Sequence, residues 1–259
     1  MTSGSTSPGV RLPAETWAIV QRGPGLNSVF LEKMRLGNLG RRAIMVRMDR
    51  SAICTSDIKN IINPDSRDRL YAYDTEGTGI INGHEGTVTV IAAGDEVREK
   101  FPVGRRYIVQ ADLRKYTNLQ AVGYRIWGLF RGYGIWGPVV QDYLVPISEN
   151  VGYSAAALVE GPTCVYASYN VEGAAIRSDD KTLCLSGCGG PMGNMHIEEI
   201  LFQRSKRGKL HSLKTIIATD TNRDRLDAFN NRYASTADDL GIKLVCVNPV
   251  EEDFGAALR

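Results

Sequence analysis

Cysteine is scarce: five residues in a chain of 259, and an odd number. That excludes the dense, paired disulfide framework of small secreted domains and fits a reducing compartment. The opening stretch, MTSGSTSPGVRLPAE, has neither a charged start nor an apolar core segment, so it does not read as a signal peptide. No run approaches the ~18 consecutive apolar residues of a membrane span. An excess of one charge is also missing. Lys plus Arg is 31, Asp plus Glu is 29, and the net charge is +2. A nucleic-acid binder shows a basic stripe, and this balance argues against one. The basic stretch SKRGKLH at 205–211 reads as a solvated connection. No internal repeat is present. What remains is an ordinary globular composition, 43% hydrophobic and 23% charged, long enough for one or two domains. The expectation is a cytoplasmic protein with neither a nucleic acid nor a membrane as partner.

The chain has two unlike halves. From Thr16 to about Pro146, short runs rich in Val, Ile and Tyr (TWAIV, AIMVRM, GTVTVIAAG, RRYIVQ, VVQDYLVP) are separated by Gly, Pro and Asp. That rhythm predicts a β barrel or sandwich. From Ser154 the rhythm changes. SAAALVEGPTCVYASYNV reads as one helix, followed by strand, Gly-rich turn, helix, strand, helix and strand up to IKLVCVN. Such alternation predicts a parallel sheet with crossover helices. The expected organisation is a loose tail over 1–14, a β-rich domain over 15–150, a connecting helical segment over 151–179 and a parallel βαβαβ unit over 180–259.

The Gly-rich turn reads Ser186-Gly187-Cys188-Gly189-Gly190-Pro191-Met192-Gly193. It follows an apolar strand and opens a helix, the setting a dinucleotide fingerprint requires. Glycines allow backbone amides to approach a pyrophosphate, and the helix N-terminus faces that anion with unpaired N–H groups. The next strand ends in Asp220, 27 positions after Gly193, where an acid can accept hydrogen bonds from an adenosine ribose. The spelling departs from the motif. Reading back from Gly193 puts Cys188 where the first glycine belongs, and Gly187 fits with one extra residue in the turn. A nucleotide-binding turn and a plain tight βα turn both stay open.

A second constellation is Cys54, His84 and Glu160. Zn2+ accepts thiolate, imidazole and carboxylate, and a catalytic site uses three protein ligands plus one open position. Spacing alone does not join these residues. Taken singly they read as a buried thiol, a core histidine and a surface glutamate.

Taken in order, the segments resemble the medium-chain, zinc-dependent alcohol and polyol dehydrogenases. The matching stretches are Cys54-Thr55-Ser56-Asp57, Gly83-His84-Glu85-Gly86, GDEVREKFPVG from Gly94 to Gly104, Gln141-Asp142-Tyr143 with Val145-Pro146, Ala156 to Glu160, and the Gly-rich turn with Asp220. Together they span roughly 16–248. The GGPMG spelling and the long insertion before Tyr107 and Trp127 resemble the sugar-phosphate and polyol branch, such as sorbose-1-phosphate reductases. The resemblance implies a GroES-like catalytic domain followed by an incomplete Rossmann domain. It implies one catalytic zinc on Cys54, His84 and Glu160, with Glu85 as an acid that can approach the metal. It implies Ser56 as the proton-relaying hydroxyl and Asp57 as the residue orienting the histidine. It also implies NAD or NADP on the turn Gly187, Gly189, Gly190, Pro191 and Gly193, with Met192 backing the nicotinamide and Asp220 and Arg225 at the adenosine ribose. An acidic Asp220 disfavours a 2′-phosphate, and Arg223 and Arg225 nearby can offset that, so NAD is favoured. The implied reaction is hydride transfer between the nicotinamide and a polyol, sugar alcohol or sugar phosphate. Dimers or tetramers are implied as well.

Three departures carry expectations of their own. Asp112 to Pro138 holds no cysteine where the family often carries a structural zinc, so no structural zinc is expected. Gly161 precedes Pro162 where the family usually has proline directly after the glutamate. The family also continues well beyond Arg259. The sequence is therefore read as a truncated chain whose half-sheet exposes a strand edge. Two alternatives stand beside the leading reading: a zinc-free quinone or enone reductase of the same fold, and a non-catalytic nucleotide-binding fragment. Cys164, Cys184 and Cys246 are expected to be buried small hydrophobes, and Cys188 to line the turn. His196 and His211 are expected on the surface. Tyr124, Trp127, Phe130, Tyr133 and Trp136 read as a loop packed on its own aromatics, with a sugar-binding wall as the other reading.

Overall fold

A computed structural model describes residues 11–63, 79–112, 121–170 and 179–257. Most of the expected tail (1–10), residues 64–78 and 113–120, and 171–178 of the expected connecting segment lie outside the described residues. The chain divides into two compact units, Met1–Glu160 and Gly161–Arg259.

In the first unit, β1 (Glu15–Gln21) and β2 (Val29–Arg35) form an antiparallel ribbon. Strands β3 (Ile44–Ser51), β4 (Gly86–Ala93), β5 (Arg106–Val109), β6 (Tyr133–Trp136) and β7 (Leu144–Pro146) form a five-stranded antiparallel sheet in the order β6-β3-β4-β5-β7. Helix α1 (Thr55–Ile62) follows β3, α2 (Pro138–Gln141) joins β6 to β7, and α3 (Tyr153–Ala157) follows β7. The core gathers Ile44, Val46, Val88, Val90, Leu129 and Trp136, all essentially without solvent contact. Each fully buried aliphatic side chain contributes about 1.5–3 kcal/mol relative to exposure.

Two expectations need correction here. VVQDYLVP is not one strand. Gly137 caps and Pro138 opens α2, and a turn at Asp142-Tyr143 precedes β7. Proline suits the first helical position, where its missing N–H has no partner to lose. Gln141 then turns inward, its Nε2 donating to the carbonyls of Arg42 (2.8 Å) and Trp136 (2.9 Å). The expected single helix from Ser154 is likewise two, α3 and α4 (Glu160–Asn170), parted at Leu158-Val159. A helix running through Pro162 would lose the bond to the Leu158 carbonyl and clash with it. Restarting at Glu160 places the proline in the first turn, where it is tolerated.

The second unit holds α4 from Gly161, then β8 (Thr182–Ser186), α5 (Pro191–Lys206), β9 (Thr215–Thr219), α6 (Arg223–Asp239), β10 (Lys243–Val247) and α7 (Phe254–Ala257). The three strands are parallel, in the order β10-β9-β8. Ile197 and Ile200 of α5 and Leu226 and Phe229 of α6 meet Ile216 of β9 in one core. Asn222 caps α6, its side chain accepting from Arg225 N–H at 3.0 Å. This is the expected class: a β-rich half and a parallel α/β half.

The cysteines depart from expectation. Cys164 and Cys184 are exposed and Cys246 is half-buried. Cys164 lies off the face of α4 that buries Gly161 and Val165, and Cys184 sits on β8, whose described pairing is to β9 alone. His196 is half-buried rather than on the surface, its Nδ1 2.9 Å from Tyr169 Oη. His211 is exposed, as expected. In the 121–136 segment, Trp127 and Phe130 pack on Ala18, Val20 and Ile81, and Trp136 lies in the main core.

Candidate functional site

Cys54 is the N-cap of α1 and Asp57 its third residue. That is capping-box spacing, in which the side chain at the third position returns to the N-cap N–H. Asp57 Oδ2 accepts from Cys54 N–H at 2.9 Å. The same carboxylate, 1% exposed, extends its Oδ1 to Gly83 N–H and to His84 Nδ1, each at 3.1 Å. One buried acid therefore joins the cysteine segment to the histidine segment. It also sets the tautomer: Nδ1 carries the proton toward Asp57, leaving Nε2 unprotonated, an acceptor for the Ser56 hydroxyl and a lone pair that can bind a metal.

Nε2 faces the other donors. Ser56 Oγ stands 3.2 Å from it and Glu85 Oε1 3.9 Å. The ligand atoms of Cys54, His84 and Glu85 all lie within 4.8 Å of one another, a group able to hold a metal ion. Thiolate, imidazole and carboxylate together suit zinc. Burial works against a charged His84 ring, yet the hydrogen bond and charge of Asp57, with Glu85 and Glu160 adding to it, raise its pKa above the usual histidine value. Burial raises the pKa of the Cys54 thiol, and Glu85 adds to the effect. Tyr124 covers one side, its ring centroid 5.6 Å from that of His84. Glu160, half-buried at the start of α4, stands outside this donor group and is felt at His84 through its charge.

The second-unit turn follows the motif's logic despite its spelling. Gly187 has φ +69°, the left-handed conformation a tight turn needs. A Cβ on Gly193 would stand 2.4 Å from Cys188 Cα, so α5 packs directly against the turn. Gly190 caps α5, Pro191 opens it, and Met192 is 46% exposed beside it. Cys188 is fully buried, and burial pushes its thiol up to about 12, which fits a lining role and not a reactive one. Asp220 Oδ2 accepts from Gly189 N–H at 3.0 Å and its Oδ1 from Asn222 N–H at 2.9 Å. Arg225 is exposed in the first turn of α6. Arg223 is committed elsewhere, paired with Glu251 at 2.7 Å and with Glu252.

The arrangement defines a class: a GroES-like domain carrying a Cys/His/Glu donor set, followed by a dinucleotide-type parallel α/β unit. Residues 40–153 match the alcohol dehydrogenase GroES-like domain. Over 224 residues the chain is 27% identical to the L-sorbose 1-phosphate reductase of Klebsiella pneumoniae, covering 82% of this chain and 53% of that protein. Over 239 residues it is 23% identical to the mannitol-1-phosphate 5-dehydrogenase of Aliivibrio fischeri, covering 88% and 55%. The chain thus spans about half the length of the curated relatives it matches. Among solved structures, the acetophenone reductase of Geotrichum candidum in complex with NAD superposes with a TM-score of 0.65 at 18% identity, covering 92% of this chain and 65% of that one. The first unit thus carries an alcohol dehydrogenase GroES-like domain, and the chain as a whole is similar to sugar-phosphate and polyol dehydrogenases and reductases.

Proposed function

We propose that this chain is the catalytic and cofactor-binding portion of a zinc-dependent, nicotinamide-linked oxidoreductase acting on a polyol, sugar alcohol or sugar phosphate. One observation carries the reading: Cys54, His84 and Glu85 converge within 4.8 Å while Asp57 holds His84 with Nε2 unprotonated and turned toward the other donors. Cys54 and His84 would hold the metal, with Glu85 the carboxylate nearest to them. Glu160, implied by the resemblance, is the competing third ligand. When bound, zinc supplies Lewis-acid polarisation of the substrate oxygen, and the nicotinamide gives or takes hydride.

The chain's own residues do the rest. Asp57 fixes the imidazole orientation. Ser56 Oγ, half-buried beside Nε2, is placed to pass a proton between an alcohol and solvent. The turn from Gly187 to Gly193 takes the pyrophosphate and Asp220 the adenosine ribose. A carboxylate at that ribose repels a 2′-phosphate, and pairing of Arg223 with Glu251 and Glu252 removes one cation that could offset it, so NAD is the favoured cofactor. The names of the two curated relatives support a phosphorylated polyol or sugar as substrate.

Zinc per chain, measured by elemental analysis, tests the reading. One zinc in the wild type, lost in Cys54→Ser and His84→Ala, is expected. Comparing Glu85→Gln with Glu160→Gln identifies the carboxylate ligand. A folded wild type without zinc would refute the metal-dependent reading and leave the zinc-free reductase of the same fold and the non-catalytic nucleotide-binding fragment, which substrate turnover separates.

A further inference from the structure

Asn194, in the first turn of α5, makes contacts that its sequence position does not explain. Its Nδ2 donates to two carbonyls of the Gly-rich turn, Gly190 at 2.9 Å and Cys188 at 3.2 Å. Its Oδ1 accepts from Tyr233 Oη of α6 at 3.1 Å. Two carbonyl acceptors on one side and a hydroxyl on the other settle which end of the amide is which. Tyr233 is 5% exposed, its ring 4.9 Å from that of Phe229. The same O–H proton is shared with Glu198 Oε1 at 2.8 Å, and Glu198 takes a further hydrogen bond from Arg232 at 2.8 Å. The chain of contacts runs from α6 through Asn194 into the turn.

The peptide between Cys188 and Gly189 is thereby held at both ends. Its carbonyl is bound by Asn194, and its N–H by Asp220 at 3.0 Å. A glycine-rich peptide left to itself samples several orientations, and ordering it on binding costs free energy. A flipped peptide would also point a carbonyl oxygen at an incoming anion. With both carbonyls drawn toward Asn194, those oxygens are kept from the anion and the turn is ordered beforehand.

Resting on the dinucleotide-binding reading above, we propose that Asn194 and Tyr233 are positioning residues for the cofactor pyrophosphate, pinning the turn in its anion-receiving conformation from the α6 side. Neither residue touches the ligand in this role. The effect belongs to the pyrophosphate and not to the adenosine end.

The test titrates wild type, Asn194→Ala and Tyr233→Phe with ADP-ribose and with adenosine, by calorimetry and ligand-observed NMR. Loss of two hydrogen bonds on the turn corresponds to about tenfold weaker ADP-ribose binding for Asn194→Ala. Tyr233→Phe, which removes a single hydroxyl and keeps the ring, is expected to weaken it about threefold. Adenosine binding should be unchanged in both. ADP-ribose affinity within twofold of wild type in both variants would overturn the proposal while leaving nucleotide binding intact. Equal weakening of ADP-ribose and adenosine would overturn it too, marking a general structural role. Should Asn194→Ala fail to fold, Tyr233→Phe alone decides by the same comparison. A wild type that binds neither ligand would refute the dinucleotide reading itself, and the proposal with it.

Discussion

Replacing Asp57 by asparagine changes one atom and one charge, and the structure says what each is worth. In the wild type Oδ1 accepts from Gly83 N–H and His84 Nδ1, and Oδ2 accepts from Cys54 N–H. An amide has one oxygen. Its better orientation keeps that oxygen at the Oδ1 position and turns the NH2 group toward the Cys54 N–H, donor against donor. A buried donor left without an acceptor costs about 1–3 kcal/mol. The two surviving bonds lose the assistance of a full charge, roughly halving their strength. The sum is about 2–4 kcal/mol from the first unit. All three tryptophans of the chain, Trp17, Trp127 and Trp136, lie in that unit, so urea unfolding followed by tryptophan fluorescence, with chelator present, reports on it alone. The same change loosens the imidazole, and a chelator competition should show zinc held roughly 10–100-fold more weakly. An Asp57→Asn protein whose fluorescence transition and zinc affinity both match the wild type would refute the assignment of Asp57 as the acid joining the cysteine and histidine segments.

Other predictions concern the second unit. Gly193→Ala places a methyl 2.4 Å from Cys188 Cα, with two more Cys188 backbone atoms within 2.6 Å. No side chain can swing aside, so α5 and the turn must part. A loss of about 3 kcal/mol, read by far-UV circular dichroism, and abolished ADP-ribose binding are expected. His196 has its pKa lowered by burial. Its unfolded form therefore takes up a proton before the folded form does, and stability present above pH ~6.5 is lost as pH falls through the folded value. Urea midpoints between pH 7.5 and 5 should show that fall, and His196→Gln should flatten it. An unchanged slope in the variant would assign the acid sensitivity to other groups. Ile216→Ala, in a fully buried position of the central strand, is expected to cost 2–5 kcal/mol by chemical unfolding.

The parallel half was legible because each strand is a short apolar run and the Gly-rich turn and polar stretches between them mark the crossover helices. The β-rich half was less so. The strand β2 (VFLEKMR) buries no residue fully, and its half-buried alternate positions from Leu31 on are Glu32 and Met34, so no apolar alternation announces the strand. At four residues, β6 is too short to show one. VVQDYLVP misled because its apolar residues enter the core partly from a helical turn, which periodicity in a short run cannot separate from a strand. The cysteines misled for a related reason: an apolar run says that a segment packs, not which of its faces does.

The site divides along the same physical line. Cys54, His84 and Asp57 could be joined only through the resemblance; the capping geometry that seats Asp57 appears in the structure. The carboxylate beside them could not be chosen from sequence. Glu85 follows His84 directly and Glu160 lies 76 positions away, and a donor geometry depends on where a backbone carries each, not on the letter. Asn194 and Tyr233 lie further still from legibility. Each is an ordinary polar residue on an amphipathic helix, separated by 39 positions, and each acquires its role only when α5 and α6 close over the turn. Contacts of that kind arise from tertiary packing, so their test must be thermodynamic. A double-mutant cycle on ADP-ribose binding should give a coupling between Asn194→Ala and Tyr233→Phe, because removing the amide leaves the hydroxyl nothing to orient. Strict additivity would mean that the two side chains act on the turn independently.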